Sequence, residues 1–399
     1  MRTLFAGMGI AVVKGTVWVV VAAAATVGTT AAISIWNANR TVILPNPGGP
    51  FAVGRSMYAW RDEVREDPLV RGGGAKRELM VWLWYPAEAT GGGHPAAYLP
   101  DPWMSALEQT SFDQKPNLVR AHAIEEAPVA AAQARYPVLI FSPGSGGLPF
   151  EYTALAEELA SHGYVVAGVA HTYSSRVVVF PDRRIARSSQ ARFDGGDDRL
   201  VTIWAADLIS LLNEMQRAQA TGGTSIFARL DLQRIGVLGH SFGGAAAAQA
   251  CSMDARFKAG MDLDGSVHGD VTKNGVSQPF FFMIGRYDNA VQKQEINFIL
   301  ESSPEGYILT IKNLTHGNFG DRAVFFDPGE KFAELVGARL DGRKTLTIAN
   351  AYIEAFFGKY LMAAESPLLN ADRTPYPEVE LRSHTGSNIH LSHPTRNSQ

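Results

Sequence analysis

The Gly-His-Ser-Phe-Gly motif at residues 239–243 constrains this chain more than any other feature of its sequence. The apolar run 235–238 before it predicts a β-strand, and the small-residue run 244–248 after it predicts a helix that packs closely against a sheet. A serine at a sharp turn between a strand and a helix has a strained backbone, and its hydroxyl points clear of the main chain. The motif therefore predicts a nucleophile elbow with Ser241 as the nucleophile.

Length and composition limit the kinds of protein that this chain can be. Its 399 residues, 46% of them hydrophobic, suit one large α/β domain with insertions, and a core of that size needs no disulfide. The net charge of −3 gives no electrostatic argument for binding nucleic acid. The only cysteine, Cys251, rules out an internal disulfide, and we expect it to be a buried apolar side chain.

Apolar runs and amphipathic segments alternate along the chain. Helical periodicity predicts helices at 152–162, 200–215 and 345–361. Short apolar runs predict strands at 78–85, 137–142, 164–170, 259–263, 280–284 and 307–311. This alternation predicts a mostly parallel central sheet with helices on both faces, in which ligands bind at the carboxyl ends of the strands.

Residues 15–35 contain no charged side chain. A helix of that length would extend about 31 Å, which is enough to cross the hydrocarbon core of a bilayer. Arg2 and Lys14 precede it, which favours an N-terminus inside the cell and the remaining chain outside. We therefore predict an N-terminal apolar helix within residues 1–36, either a retained membrane anchor or a cleaved signal for secretion, with an internal helix of the fold as the remaining alternative.

We assign residues 37–383 to one folded domain. Residues 37–50, which include the run Asn-Pro-Gly-Gly-Pro, are predicted to form a linker at its start. Residues 87–135 carry weaker patterns and are predicted to be an insertion, either a lid over a pocket or an ordinary surface segment. The polar residues 384–399 predict a disordered tail, whose three histidines are better explained by an unstructured segment than by a metal site.

A serine hydroxyl becomes a nucleophile when a histidine accepts its proton and a carboxylate orients that histidine. In α/β hydrolases these residues follow the order serine, acid, histidine. His316 follows the last predicted strand and has a glycine beside it, so we predict that it is the base. Asp264 and Asp288 each follow a predicted strand between Ser241 and His316, and either fits the position of the acid, whereas Asp262 lies inside its strand and fits poorly.

Three further histidines compete for a role in the site. His240 lies inside the elbow and is expected to point away from the side chain of the nucleophile. His171 ends a predicted strand in the earlier half of the sheet, where it is a candidate to line the pocket. His268 follows Asp264 too closely along the chain to be its partner.

The negatively charged oxygen that forms during acyl transfer needs two hydrogen-bond donors. The backbone N–H of Phe242 lies in the first turn of the predicted helix, and we assign the second donor to the backbone N–H of Ser145 in the glycine-rich loop 143–147. That loop lacks the lysine of a phosphate-binding loop, and no acidic residue is placed to bind a ribose. No Cys or His pair has metal-ligand spacing, so we predict neither a cofactor nor a catalytic metal.

Taken together and in order, these motifs resemble the platelet-activating-factor acetylhydrolase family. The resemblance comprises segments 49–54, 141–146, 159–167 and 239–244, the pair Leu263-Asp264, and His316 with Asn318 and Phe319. The family consists of calcium-independent, lipase-like α/β hydrolases that cleave short or oxidised acyl groups from the sn-2 position of phospholipids. The resemblance therefore implies the α/β-hydrolase fold and an ester or phospholipid substrate. It also implies a triad with backbone oxyanion donors, namely Ser241, Asp264 and His316 with Ser145 and Phe242.

The chain departs from the family at two places and leaves the substrate open. Pro143 stands where the family's oxyanion loop usually has histidine, and Asp288 lies where cutinase-like polyester hydrolases have their acid. A cutinase-like or general carboxylesterase is therefore the enzymatic alternative. A catalytically inactive hydrolase fold that serves as a binding protein is the alternative of another class, and the complete set of serine, acid and histidine argues against it.

Overall fold

The computed structural model describes residues 40–70, 72–89, 93–107, 116–189, 194–222, 225–285, 289–325, 342–370, 374–385 and 388–392. The predicted anchor or signal at 1–36 and the alternative acid Asp288 lie outside these residues. Within the described part of the chain, no helix has both the length and the apolar character that crossing a membrane requires. The N-terminal apolar helix therefore stays a prediction from the sequence.

The strands form one large sheet and two short pairs. Their bounds are β1 Val42–Ile43, β2 Ala52–Glu66, β3 Lys76–Ala87, β4 Val119–Arg120, β5 Ile124–Glu125, β6 Tyr136–Ser142, β7 Val165–Ala170, β8 Val177–Val179, β9 Ile185–Arg187, β10 Leu230–His240, β11 Phe257–Leu263, β12 Phe280–Ile284, β13 Glu305–Ile311, β14 Val379–Thr385 and β15 Asn388–Ser392. The large sheet has 11 strands in the order β15-β14-β13-β12-β11-β10-β6-β7-β3-β2-β5, while β1 pairs with β4 and β8 with β9.

Helices cover both faces of the large sheet. Their bounds are α1 Trp103–Leu107, α2 Thr153–Ser161, α3 Gly196–Ala220, α4 Ser225–Ala228, α5 Phe242–Met253, α6 Val271–Asn274, α7 Ala290–Ser302, α8 Arg322–Phe325, α9 Gly342–Met362 and α10 Pro367–Asn370. Apolar side chains of α2 and α9 belong to the core on one face, and those of α3, α5 and α7 belong to the core on the other.

The central strands from β13 through β12, β11, β10 and β6 to β7 are all parallel to their neighbours. Because helices cover both faces, these strands are buried on both sides and consist of continuous apolar runs, as in β6, where every residue is buried. Antiparallel strands flank this parallel centre. The prediction of a mostly parallel sheet with helices on both faces is confirmed, and the carboxyl ends of the parallel strands meet at one edge.

The predicted helices and strands are present with shifted ends. The strand predicted at 280–284 coincides with β12, whereas the helix predicted at 200–215 extends in both directions to become α3. Asp197 and Asp198 lie in the first turn of α3, where negative charge favours the positive end of the helix dipole. Charged residues and glycines at 182–198 predict an exposed segment, but the last three of these residues belong to α3.

Two segments predicted to lack regular structure are ordered parts of the fold. In the predicted linker, β1 pairs in parallel with β4, and Val42 and Leu44 are buried. The predicted disordered tail begins inside β14, which pairs antiparallel with both β13 and β15. The prediction of disorder was therefore wrong for residues 384–385 and 388–392, because the open backbone groups at the edge of β13 offer hydrogen-bonding partners even to a polar segment.

The predicted insertion at 87–135 contributes to the core. Trp103 of α1 is buried, and its ring centroid lies 5.6 Å from that of Trp82. β5 lies at the edge of the large sheet beside β2. Residues 90–92 and 108–115 lie outside the described residues, so a lid in this region stays a prediction.

His162 at the C-terminal end of α2 joins α2 to α9 through two carboxylates. Its Nε2 lies 3.2 Å from Oε1 of Glu158, and its Nδ1 lies 2.6 Å from Oε1 of Glu354. Hydrogen bonds with Glu158 and Glu354 outweigh partial burial and raise the pKa of His162 to about 9. The three side chains are close enough to hold a metal ion, but carboxylates at both ring nitrogens favour the imidazolium, which does not ligate metals.

Replacing His162 with Gln should remove a pH-dependent part of the stability. Folding raises the pKa, so the ion pairs contribute fully below the unfolded-state pKa of about 6.5 and are lost as the pH rises towards about 9. We expect the wild-type free energy of unfolding to exceed that of the variant by about 1 kcal/mol at slightly acidic pH and by nothing once His162 is neutral. Urea unfolding of both proteins across this range measures the difference, and a difference independent of pH would contradict the charged pairing.

Candidate active site

Ser241 lies at the turn between β10 and α5, as expected of a nucleophile elbow. Its φ of +56° and ψ of −127° fall in a region that residues other than glycine rarely adopt. A Cβ on Gly239 would lie 2.1 Å from the carbonyl oxygen of Gly243, and a Cβ on Gly243 would lie 2.1 Å from that of Ser142. Glycine at both flanking positions is therefore a steric requirement of this turn.

Three side chains from three loops form one hydrogen-bonded row. The Oγ of Ser241 lies 2.9 Å from Nε2 of His316, and Nδ1 of His316 lies 2.8 Å from Oδ2 of Asp264. An ionised carboxylate only accepts hydrogen bonds, so Nδ1 donates to Asp264 and Nε2 of the neutral ring accepts the hydroxyl proton of Ser241. In this arrangement a histidine can take the proton of a serine.

The row forms because each member follows the carboxyl end of a different parallel strand. Ser241 follows β10, Asp264 follows β11 and His316 follows β13. The N–H of Ser241 donates to the carbonyl oxygen of Leu263 at 2.9 Å, and the N–H of Asp264 donates to that of Met283 at 2.7 Å. Backbone hydrogen bonds to neighbouring strands thus continue through both residues and hold them in register.

The charges of the row favour proton transfer to the histidine. Burial of Asp264 disfavours its charged form, but hydrogen bonds from His316 and from the N–H of Gly285 outweigh burial and lower the pKa of this carboxyl. The hydrogen bond with Asp264 in turn raises the pKa of His316 despite partial burial. Asp264 is therefore ionised at neutral pH and stabilises the imidazolium that forms when His316 accepts a proton.

Asp262 is a near neighbour of the row but does not belong to it. It is buried inside β11, and its Oδ1 accepts the N–H of Gly265 at 2.7 Å. Burial raises the pKa of Asp262 well above its usual range, which favours the neutral form of this side chain. The carboxylate in contact with His316 is that of Asp264, while Asp288 lies outside the described residues.

Both predicted oxyanion donors belong to backbone segments that adjoin Ser241. Phe242 is the first residue of α5, and the first N–H groups of a helix have no acceptor within the helix. The loop after β6 reaches the elbow, because a Cβ on Gly144 would lie 3.2 Å from the Cβ of Ser241. Ser145 is the next residue in that loop.

His171 lies beneath the elbow and does not line a pocket, so that prediction was wrong. The side chain is fully buried, with Nδ1 at 2.9 Å from Oδ2 of Asp207 and Nε2 at 2.9 Å from Oγ of Ser142. Its ring stacks on Trp204 at 4.0 Å, and the Trp204 ring in turn meets that of Phe242 at 5.0 Å. No sequence pattern marks this group, because its members lie on separate elements that only the folded chain brings together.

A serine, an acid and a histidine in this chain order, at the ends of parallel strands, form the arrangement that is typical of serine hydrolases with the α/β-hydrolase fold. The sequence profile of one family within that class, "Platelet-activating factor acetylhydrolase, isoform II", matches residues 37–192 and 224–366. The chain belongs to this family, which confirms the resemblance seen in its motifs.

Individual relatives agree with this membership. The platelet-activating factor acetylhydrolase of Cavia porcellus is 27% identical over 262 residues, which is 57% of this chain and 58% of that protein. A probable 1-alkyl-2-acetylglycerophosphocholine esterase of Arthroderma benhamiae is 26% identical over 266 residues, which is 61% of this chain and 65% of that protein. The chain thus spans less than two thirds of the length of each of these curated relatives.

A solved structure matches over a larger share of the chain. The ferulic acid esterase from Streptomyces cinnamoneus has a TM-score of 0.71 and 29% sequence identity to this protein. The match covers 85% of this chain and 98% of that chain. The predicted α/β-hydrolase fold is therefore confirmed for the domain that carries Ser241.

The hydrogen bond between His316 and Asp264 should be visible when His316 titrates. Because Asp264 raises the pKa of His316, we expect its imidazole to titrate with a midpoint above the ordinary value of about 6.5 and Asp264→Asn to lower that midpoint. An NMR titration of the imidazole resonances measures both midpoints. Asp262→Asn is the matched control, because Asp262 bonds to Gly265 instead. Equal shifts of the His316 midpoint in Asp264→Asn and Asp262→Asn would contradict the hydrogen bond between His316 and Asp264.

Proposed function

We propose that this protein is a carboxylic ester hydrolase that works through an acyl-enzyme intermediate. The observation that carries the proposal is the hydrogen-bonded row from Ser241 through His316 to Asp264, with distances of 2.9 and 2.8 Å. The names of the relatives, an acetylhydrolase and a probable glycerophosphocholine esterase, support the same chemistry.

In the first half of the reaction, Oγ of Ser241 attacks the ester carbonyl carbon while Nε2 of His316 takes the hydroxyl proton. The backbone N–H groups of Phe242 and Ser145 stabilise the oxyanion that forms. When the carbonyl re-forms, the bond to the alcohol breaks, and the alcohol leaves with the proton from His316. Asp264 keeps His316 in the required tautomer throughout.

In the second half, a water molecule takes the place of the alcohol. His316 removes a proton from this water, which attacks the carbonyl carbon of the acyl-enzyme. Collapse of the second oxyanion breaks the bond to Ser241, which recovers its proton from His316. The products are one carboxylic acid and one alcohol for each ester and water consumed.

We propose short or oxidised acyl esters as the substrates, with sn-2 acetyl phospholipids as the first members to test. Membership of the acetylhydrolase family supports this choice. The names of the two curated relatives, an acetylhydrolase and a probable 1-alkyl-2-acetylglycerophosphocholine esterase, support it as well, although the chain spans only 58% and 65% of their lengths.

A general carboxylesterase, active on esters of other acids, is the second candidate. The ferulic acid esterase is matched over 98% of its length, which is a larger share than the match covers in either curated relative. The oxyanion loop also differs from the usual pattern of the acetylhydrolase family, because this chain has Pro143 where that family usually has histidine. Feruloyl and simple alkyl esters are the substrates that this candidate predicts.

We also propose that residues 1–36 carry the domain out of the cytoplasm, as a retained membrane anchor or as a cleaved signal. The uncharged run 15–35 behind Arg2 and Lys14 supports this proposal. Fractionation of expressing cells, together with mass spectrometry of the N-terminus, separates the two forms. Recovery of the intact chain from the cytoplasm would contradict both.

The purified protein should hydrolyse esters in a manner that depends on Ser241. We expect Ser241→Ala to lower kcat about 10⁴- to 10⁶-fold, because the nucleophile is lost. The assay uses p-nitrophenyl esters from acetyl to palmitoyl beside a 2-acetyl phospholipid and methyl ferulate. Cleavage of short esters and the phospholipid favours the hypothesis of an acetylhydrolase. Cleavage of methyl ferulate without the phospholipid favours a general carboxylesterase. A loss smaller than tenfold in the variant would contradict the mechanism.

Asp264→Asn should lower kcat about 10⁴-fold, because the amide no longer holds His316 in the tautomer that accepts a proton. Asp288→Asn is the matched control and should have a mild effect on kcat. Circular dichroism of both variants checks that each is folded. The reverse ranking of the two losses would move the acid to Asp288.

A further inference from the structure

His240, the residue directly before the nucleophile, has contacts that the triad does not use. Its side chain is buried inside the elbow, with Nε2 at 2.8 Å from the backbone oxygen of His316 and Nδ1 at 2.8 Å from the hydroxyl oxygen of Tyr152. The same hydroxyl oxygen lies 3.4 Å from the backbone N of Gly144. The side chains of His240 and Tyr152 thus connect three segments that surround Ser241, namely the elbow, the loop after β6 and the loop that carries His316.

The chemistry of these groups sets the direction of each hydrogen bond. A backbone carbonyl only accepts, so Nε2 of His240 carries the hydrogen that it donates to His316. Burial, and then repulsion from His316, lower the pKa of His240 to about 4, so the ring is neutral and its Nδ1 accepts. Tyr152 therefore donates its hydroxyl hydrogen to Nδ1, and the oxygen lone pair accepts the N–H of Gly144.

Packing holds the two rings in place independently of these hydrogen bonds. The His240 ring centroid lies 4.6 Å from that of His316 and 5.6 Å from that of Phe319. The Tyr152 ring lies 4.7 Å from that of Phe141 in β6. Burial raises the pKa of Tyr152, so the hydroxyl keeps its hydrogen over the working pH range.

We propose that His240 and Tyr152 are positioning residues that hold the loop carrying His316 in fixed register with the loop carrying the oxyanion donor Ser145. The hydrogen bonds run in one direction from Gly144 through Tyr152 and His240 to the His316 carbonyl. We call this chain of hydrogen bonds the relay. Its two ends, Gly144 and His316, belong to loops that touch the reacting atoms in the proposed function, on which this inference rests. A register error of about 1 Å between such groups can lower a rate about 100-fold.

The sharpest test is Tyr152→Phe, which removes one oxygen atom and keeps the packed ring. The change leaves Nδ1 of His240 without its donor and the Gly144 N–H without its acceptor. We expect kcat on a p-nitrophenyl ester to fall about 10- to 100-fold with KM within about twofold, because the misplacement affects the transition state rather than substrate binding. Tyr136→Phe is the matched control, since its buried hydroxyl bonds to the Ala130 carbonyl at the opposite end of β6 and should leave kcat unchanged.

Substitutions of His240 separate positioning from simple packing. His240→Gln keeps an N–H near the former Nε2 and should retain more activity than His240→Leu, which fills a similar volume without a donor. Thermal melting of all variants accompanies the kinetics. Equal kcat for Tyr152→Phe and Tyr136→Phe, or equal kcat for the two His240 variants, would overturn the proposal.

A second readout does not depend on activity. Nitrogen NMR of the imidazoles should show the hydrogen of His240 on Nε2, exchanging slowly with solvent, and its exchange should accelerate in Tyr152→Phe. A hydrogen on Nδ1 of His240 would overturn the relay whatever the activity. If the wild-type protein cleaves no ester and Ser241 does not react with a fluorophosphonate, the proposed function fails, and the NMR result still decides whether the relay exists.

Discussion

The site depends on how closely two stretches of backbone approach at the elbow. A Cβ on Gly244 would lie 3.0 Å from the carbonyl oxygen of Gly239 in β10 and 2.1 Å from Oδ1 of Asp262 in β11, and the alanines that follow it in α5 are fully buried against the sheet. Only residues with little or no side chain allow a helix to begin so near the strand that precedes it. Holding Ser241 at positive φ costs about 1–3 kcal/mol, which the surrounding packing must offset. The small residues that follow Ser241 are therefore as necessary to the geometry of the site as the serine itself.

The parallel sheet then brings the side chains of Asp264 and His316 close to Ser241. His316 lies 75 residues after Ser241 and 52 residues after Asp264, yet all three meet because parallel strands end at the same edge. Buried histidines also connect the segments around the site. His240 bonds to the backbone of His316, and His171 joins the end of β6 to α3 through Ser142 and Asp207.

The sequence was most informative where structure is decided locally. The elbow at 239–243 and the apolar run of β12 could be placed because glycines and apolar residues determine the backbone over a few positions. Asp264 and Asp288 could not be separated from the residues alone, because each follows a strand and only the resemblance ranked them. His171 and its partner Asp207 were beyond sequence reasoning, since a hydrogen bond between distant elements leaves no periodic pattern. The strand β14 was missed because its pairing with β13, rather than its own composition, makes it a strand.

That pairing makes β13, which leads to His316, an interior strand of the sheet. Without β14, the outer row of amide and carbonyl groups on β13 would be open to any extended segment, whether of another chain or of a bound peptide. β14 pairs with these groups, and β15 pairs with β14, so that the open edge of the sheet lies two strands away from β13. The two strands β14 and β15 therefore separate β13, and the loop that carries His316 after it, from the open border of the sheet on this side.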